Sequence, residues 1–277
     1  MQPKLGIIAG GGDLPVRIID ACRAADRPFF VLALEGQTPP ETVADTPHAW
    51  VRMGAGGKAL SALRKAEVEE IVLAGPVRRP TIAELKPDLW TAKFIAKVGV
   101  KSLGDDGILG ALVRELEQKE GFRVVGAESL MPEVMAEEGV FGRVRPDDQA
   151  LSDIERGIAV ASALCALDAG QACVVQQGLV LAIEAIEGTD AMLARAGELR
   201  REGPGGVLVK VGLPKKEGRA DLPTIGVTSV HTAAAAGLRG IAVEAGRSLV
   251  IDRGQTTEAA DAAGLFIIGV GIPTDPR

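Results

Sequence analysis

The feature that most constrains this chain is an alternation of short, unbroken apolar runs with longer runs of helical spacing. In the first half the apolar runs are "LGIIAG" (Leu5–Gly10), "PFFVLALEG" (Pro28–Gly36), "HAWVRM" (His48–Met53) and "EIVLAG" (Glu70–Gly75). Each is too short for a buried helix, and such continuous runs suit strands covered on both faces. Between them, "VRIIDACRAADR" (Val16–Arg27) repeats its apolar residues at Val16, Ile19, Ala21 and Cys22. "GKALSALRKAEV" (Gly57–Val68) and "DDGILGALVRELEQKEG" (Asp105–Gly121) are further amphipathic stretches. Strand and helix in alternation imply βαβ units and a parallel sheet. The pattern restarts after about residue 135, with strands in "QACVVQQG", "LVLAIEAI", "GGVLVKVG", "IAVEAG", "SLVIDR" and "LFIIGV". A helix is expected between Asp147 or Asp148 and Gly170, and another over "DAMLARAGELRR" with Thr189 as its N-cap. The expected architecture is therefore α/β in two domains. Residues 1–130 form a Rossmann-like parallel sheet, residues 135–277 form a second α/β domain, and an active-site cleft lies between them.

Composition narrows the function. A chain of 277 residues is comfortable for two cores. A net charge of -6 and only 3% aromatics, with no Tyr, argue against nucleic-acid binding. The two histidines, His48 and His231, leave no zinc site of ordinary type, so a metal would have to be held by oxygen. The three cysteines, Cys22, Cys165 and Cys173, sit in Ala/Val/Leu-rich surroundings and read as buried fillers in a reducing compartment. Leu5–Gly10 runs into a turn rather than a secretory h-region, and no stretch reaches bilayer length. A cytoplasmic protein is expected, touching a membrane at most from its inner face.

Two regions carry candidate chemistry. In the first, Gly10, Gly11 and Gly12 follow the first strand, where backbone amides can approach a phosphate, and Asp13 opens the next helix. Glu35 ends the second strand, the place of a ribose-binding acid. Pro15 departs from the dinucleotide fingerprint. "LAGPVRRP" (Leu73–Pro80) delivers Arg78 and Arg79 to a strand end, where a guanidinium fork suits phosphate oxygens. In "DLWTAKFIAKVGVK", Trp90, Phe94 and Val98 form a stripe bordered by Lys93, Lys97 and Lys101. That pattern fits a core-facing helix, or the wall of a lipid groove.

The second region is "VLAIEAIEGTDAML" (Val180–Leu193), an apolar run leading straight into Glu184, Glu187 and Asp190. A helix dipole accounts for Asp190 and part of Glu187, and not for Glu184. Lys210 ends a later strand, and "GRADLPTIG" adds Arg219, Asp221 and Thr224. Carboxylates, a lysine, an arginine and a Gly-Thr turn suit phosphate-ester or diphosphate chemistry.

At these residues the chain closely resembles the UDP-2,3-diacylglucosamine pyrophosphatases of lipid A biosynthesis, in the form unrelated to calcineurin-like phosphoesterases. The motifs are "LGIIAGGGDLP" (Leu5–Pro15), "AGPVRRP" (Ala74–Pro80), "GDDGIL" (Gly104–Leu109), "GFRVVGA" (Gly121–Ala127), "AIEAIEGTDAML" (Ala182–Leu193), "LVK" (Leu208–Lys210) and "RADLPTIG" (Arg219–Gly226). The resemblance implies hydrolysis of UDP-2,3-diacylglucosamine to UMP and 2,3-diacylglucosamine 1-phosphate. It further implies Mg²⁺, with Mn²⁺ as a substitute, a homodimer, and transient contact with the inner face of the cytoplasmic membrane. It implies an essential Asp221. With the inventory above, the expected catalytic residues are Asp221, Asp190, Glu187 and Lys210, and the expected metal ligands are Asp221, Glu187 and Asp190. The expected substrate contacts are Gly11, Gly12, Asp13, Arg78, Arg79, Thr189, Arg219 and Thr224. Where the family carries a Gln-Asp pair before its arginine, this chain has Lys216 and Glu217. Two other readings stay open on the residues alone: a nucleotide-dependent oxidoreductase, resting on Gly10–Gly12 and Glu35, and a non-catalytic UDP-sugar sensor.

Overall fold

The computed structural model describes residues 2–78, 80–98, 105–212 and 222–272. The chain divides into two compact α/β units, Met1–Met131 and Pro132–Arg277.

In the first unit, strands β1 (Leu5–Ala9), β2 (Phe29–Leu34), β3 (His48–Val51), β4 (Glu70–Ala74) and β5 (Arg123–Val124) form one sheet of order β3-β2-β1-β4-β5. Every neighbouring pair is parallel. The apolar runs do what their lack of alternation requires, since β1, β2 and β4 are almost wholly buried. The helices are α1 (Leu14–Ala24), α2 (Gly56–Lys65), a short α3 (Ile82–Leu85), α4 (Leu89–Val98), α5 (Asp105–Gln118) and a single turn, α6 (Ala127–Leu130). Pro15 lies in the first turn of α1, where a missing N–H costs nothing. The chain order changes direction at the β1/β4 pair, so the loops after β1 and β4 leave from the point where parallel α/β sheets accept ligands.

The stripe on α4 turns inward. Trp90 stacks on Phe94 with ring centroids 5.5 Å apart and donates its Nε1–H to Glu120 at 2.7 Å. A Cβ added at Gly56 would lie 2.4 Å from the indole, so the start of α2 is seated on it. Lys97 pairs with Glu115 of α5 at 2.5 Å. The apolar side chains that α4 leaves outside are Leu89 and Ile95 instead. Lys101 lies outside the described residues.

The second unit has a mixed sheet of order β6-β13-β11-β9-β7-β8. Its strands are β6 (Gly139–Phe141), β7 (Ala172–Gln176), β8 (Leu179–Ile183), β9 (Val207–Lys210), β11 (Gly240–Glu244) and β13 (Phe266–Val270). The central β9, β11 and β13 are parallel, while β6, β7 and β8 join antiparallel at the edges. A separate two-stranded parallel pair joins β10 (Thr224–Ile225) to β12 (Leu249–Val250). Helix α7 (Asp148–Ala166) covers one face through Ile154, Ala161 and Cys165. Helices α8 (Gly188–Glu198), α9 (Val227–Ala235) and α10 (Arg253–Ala263) cover the other through Met192, Leu193, Val230 and Ala260. Asp147 caps α7, its carboxylate accepting the Ala150 N–H at 2.8 Å. Thr189 does not cap α8: the helix begins one residue earlier, at Gly188, and the threonine hydroxyl is turned toward a side chain.

Candidate active site

The sheet of the second unit explains why Glu184 interrupts an apolar run. In the antiparallel β7–β9 register Ala172 faces Lys210, and on the other side of β7 the Glu184 N–H donates to the Ala172 carbonyl at 2.9 Å. Glu184, Ala172 and Lys210 thus lie abreast across three adjacent strands. Side chains alternate faces along a strand, and Ala172, Ala182 and Leu208 belong to the core under α8. Glu184 and Lys210, two residues beyond Ala182 and Leu208, therefore project on the α8 side. The methyl group of Ala172 leaves the space between them open.

Thr189, in the first turn of α8, fills that space. Its hydroxyl donates to Glu184 Oε1 at 2.5 Å and accepts from Lys210 Nζ at 3.1 Å. The other carboxylate oxygen of Glu184 accepts the Gln171 N–H at 3.1 Å. Lys210 also lies 3.5 Å from the carbonyl of Thr224, the first residue of β10. Glu184 and Lys210 are both buried, each 7% exposed, and burial of this kind demands partners. The Thr224 hydroxyl is turned back to the Leu222 carbonyl.

Glu187 and Asp190 sit on the exposed start of α8. Glu187 is bound by Arg195 at 2.6 Å, and the same guanidinium holds the Ile183 carbonyl at 2.9 Å. The Glu187 carboxyl is held below its usual range, first by its own backbone N–H and then by Arg195. The structure therefore brings Thr189, Lys210 and Thr224 together and leaves Glu187 and Asp190 on the rim. Asp221, Arg219, Lys216 and Glu217 lie outside the described residues.

In the first unit the loops after β1, β2 and β4 converge. Gly10 N–H donates to the Ala74 carbonyl and Gly11 N–H to the Pro76 carbonyl, each at 2.8 Å. A Cβ at Gly10 would meet the Pro76 carbonyl at 2.5 Å, so this glycine is required by the approach of two loops. Gly12 has φ +69°, and it and Asp13 are exposed. The Arg78 N–H donates to Gln37 Oε1 at 2.8 Å, and its guanidinium reaches Glu84 at 3.2 Å. Arg79 lies outside the described residues.

Sequence reasoning left two acids without a role. Glu184 is one. The other is Glu244, the last residue of β11, buried and accepting the Gly212 N–H at 2.7 Å. The available signal was the same in both cases, an acid closing an otherwise apolar strand.

Residues 4–134 match the LpxI N-terminal domain family and residues 137–268 the LpxI C-terminal domain family. The chain is 44% identical over 274 residues to the UDP-2,3-diacylglucosamine pyrophosphatase LpxI of Caulobacter vibrioides, covering 96% of this chain and 97% of that protein.

This chain belongs to the LpxI family.

Among solved structures, N5-carboxyaminoimidazole synthase from Aspergillus clavatus, in complex with ADP and 5-aminoimidazole ribonucleotide, aligns at 13% identity with a TM-score of 0.24. The alignment covers 73% of this chain and 37% of that one. For an LpxI family member, the oxygen donors of the second unit bear on metal binding. Among the described residues no three His, Cys, Asp or Glu side chains group to hold an ion. Mg²⁺ needs only one or two protein carboxylates when substrate phosphates complete its shell, and exposed carboxylates at the start of α8 fit that donor chemistry.

Proposed function

We propose that this chain hydrolyses the diphosphate of UDP-2,3-diacylglucosamine, giving UMP and 2,3-diacylglucosamine 1-phosphate, as a step of lipid A synthesis. The observation that carries the reading is the 44% identity to the Caulobacter vibrioides enzyme across both domains. The oxygen of a water molecule forms one new P–O bond, one bridging P–O bond breaks, and each product leaves as a phosphomonoester. Lys210 closes strand β9, its Nζ donating to Thr189 Oγ1 and lying 3.5 Å from the Thr224 carbonyl, and an ammonium at a strand end suits an anionic substrate. Asp221, Asp190 and Glu187 are the residues that would hold Mg²⁺, or Mn²⁺ in its place. A bound cation supplies charge neutralisation and a more acidic water. Arg195 competes for the Glu187 carboxylate.

A substrate with two acyl chains calls for transient contact with the inner face of the cytoplasmic membrane. Among the described residues no helix is long and apolar enough to cross one. A homodimer belongs to the same proposal.

Asp221→Ala tests the reading. Removing a carboxylate from a site that binds a polyanion lessens repulsion, so the variant is expected to lose most turnover and keep its affinity for UDP-2,3-diacylglucosamine by calorimetry. Lost affinity together with a lowered Tm would move Asp221 to a structural role.

A further inference from the structure

We propose that Glu184 is a positioning residue that acts on Lys210 through the hydroxyl of Thr189. The proposal rests on the hydrolase reading, in which Lys210 faces the diphosphate. The direction of the relay is fixed by the chemistry of its ends. An ammonium only donates, a carboxylate only accepts, and a hydroxyl has one proton to give. With Lys210 Nζ 3.1 Å from Thr189 Oγ1, and Glu184 Oε1 2.5 Å away on the other side, the hydroxyl proton must point to Glu184. The lone pairs of Thr189 are thereby presented to Lys210. Without the carboxylate, the hydroxyl would rotate freely and could turn its proton toward the ammonium.

The placement of Glu184 shows why an acid is needed here. The residue is buried beyond a strand of Leu, Val, Ala and Ile, and it is anchored from the far side by the Gln171 N–H at 3.1 Å. Its main-chain N–H is tied to Ala172, the residue that faces Lys210 across the sheet. The carboxylate is thus fixed by the same sheet that fixes the lysine. The hydroxyl between them belongs to α8, whose own start is tied back to the sheet edge by Arg195 on Glu187 and Ile183. The long, flexible lysine side chain is thus directed by groups that cannot drift relative to its backbone. A directed ammonium matters because small displacements of a charged group in a site lower the rate steeply.

The test compares wild type with Thr189→Val, Thr189→Ser, Glu184→Gln and the Glu184→Gln/Thr189→Val double variant. kcat and KM for UDP-2,3-diacylglucosamine are measured alongside Tm. Thr189→Val keeps the shape and deletes the hydroxyl. It is expected to lower kcat by about 100-fold, the size of effect that a misplaced catalytic group produces, with much less change in KM. Thr189→Ser should recover most of the loss. Glu184→Gln should lower kcat in the wild-type background and do nothing further once the hydroxyl is gone. If the two substitutions instead multiply, or if they act on Tm alone, Glu184 is only a cap for Gln171 and the proposal is overturned. A second readout needs no turnover: the ¹⁵Nζ ammonium resonance of Lys210, assigned by its disappearance in Lys210→Arg. It should be protected from exchange in wild type and lost in Thr189→Val. An inactive wild type with this pattern removes the hydrolase reading and keeps the relay, whereas an unchanged resonance in Thr189→Val removes the relay.

Discussion

The carboxylate of Asp153, on α7, accepts the backbone N–H of Gly178 at 2.7 Å and that of Gln177 at 3.0 Å. Asp153 is 1% exposed and thereby holds the β7–β8 turn, whose two residues have φ +53° and +77°. Asp153→Ala leaves both amides without their acceptor. The expected cost is about 3 kcal/mol, from two unmet donors at a part-buried turn. Denaturant unfolding is the check. A change within error would show that water replaces the carboxylate without loss.

Asp88 joins two helix starts. It accepts the Gly57 N–H of α2 and the Thr91 N–H of α4, each at 2.8 Å, while Thr91 Oγ1 accepts the Gly56 N–H at 3.0 Å. Burial raises its pKa, but the hydrogen bonds from Thr91 and Gly57 outweigh it and leave the carboxyl below the ordinary aspartate range. A depressed folded-state pKa stabilises above the unfolded-state value, and that contribution fades as pH falls through the folded-state value. Asp88→Asn keeps one acceptor oxygen and loses the other, so it should cost about 1 kcal/mol at neutral pH, the worth of one hydrogen bond, and progressively less in acid. A penalty that grew on acidification would contradict this.

Gly157 lets α7 lie directly on β9. A Cβ there would stand 2.4 Å from Val209 Cγ2, in a fully buried layer. Alanine favours the helix by about 1 kcal/mol, yet overpacking a filled core typically costs 1–3 kcal/mol, so Gly157→Ala should be net destabilising. Val209→Ala should relieve it in the double variant. A Gly157→Ala protein more stable than wild type would mean that the helix can slide.

All three cysteines are buried and free. Burial pushes the Cys173 thiol up to about 12, and it raises Cys22 as well, against a smaller lowering by Arg27. A thiol so far from ionisation is a poor nucleophile. Native protein should be nearly inert to a disulfide reagent at neutral pH and should release about three equivalents of thiol after unfolding. Fast reaction of one thiol in the native state would reveal local opening.

The parallel sheet of the first unit was legible because strands buried on both faces cannot alternate, and "LGIIAG" and "EIVLAG" do not. The edges of the second sheet were less so. Gly139–Phe141 is too short to show a period, and so is Thr224–Ile225 of the separate pair, although its partner Leu249–Val250 falls within the expected strand "SLVIDR". Of the candidate site, Lys210 and Thr189 could be named from residue type and position. Their connection could not, because it depends on three strands lying abreast in one register, which brings residues 172, 184 and 210 to one level. Thr189 looked like a cap because it stands where a helix begins, and only the fold shows that Glu184 takes its hydroxyl. Trp90 and Phe94 read as core before groove, and their stack together with the Trp90 bond to Glu120 turns them inward.

Product analysis tests the proposed diphosphate hydrolysis most directly. Purified protein is incubated with UDP-2,3-diacylglucosamine in detergent micelles with Mg²⁺, and the phosphorus species are followed by ³¹P NMR. The diphosphate doublets should be replaced by two phosphomonoester signals of equal intensity, matching UMP and 2,3-diacylglucosamine 1-phosphate. Persistent diphosphate, with no UMP above an enzyme-free control in Mg²⁺ or Mn²⁺, would contradict the account.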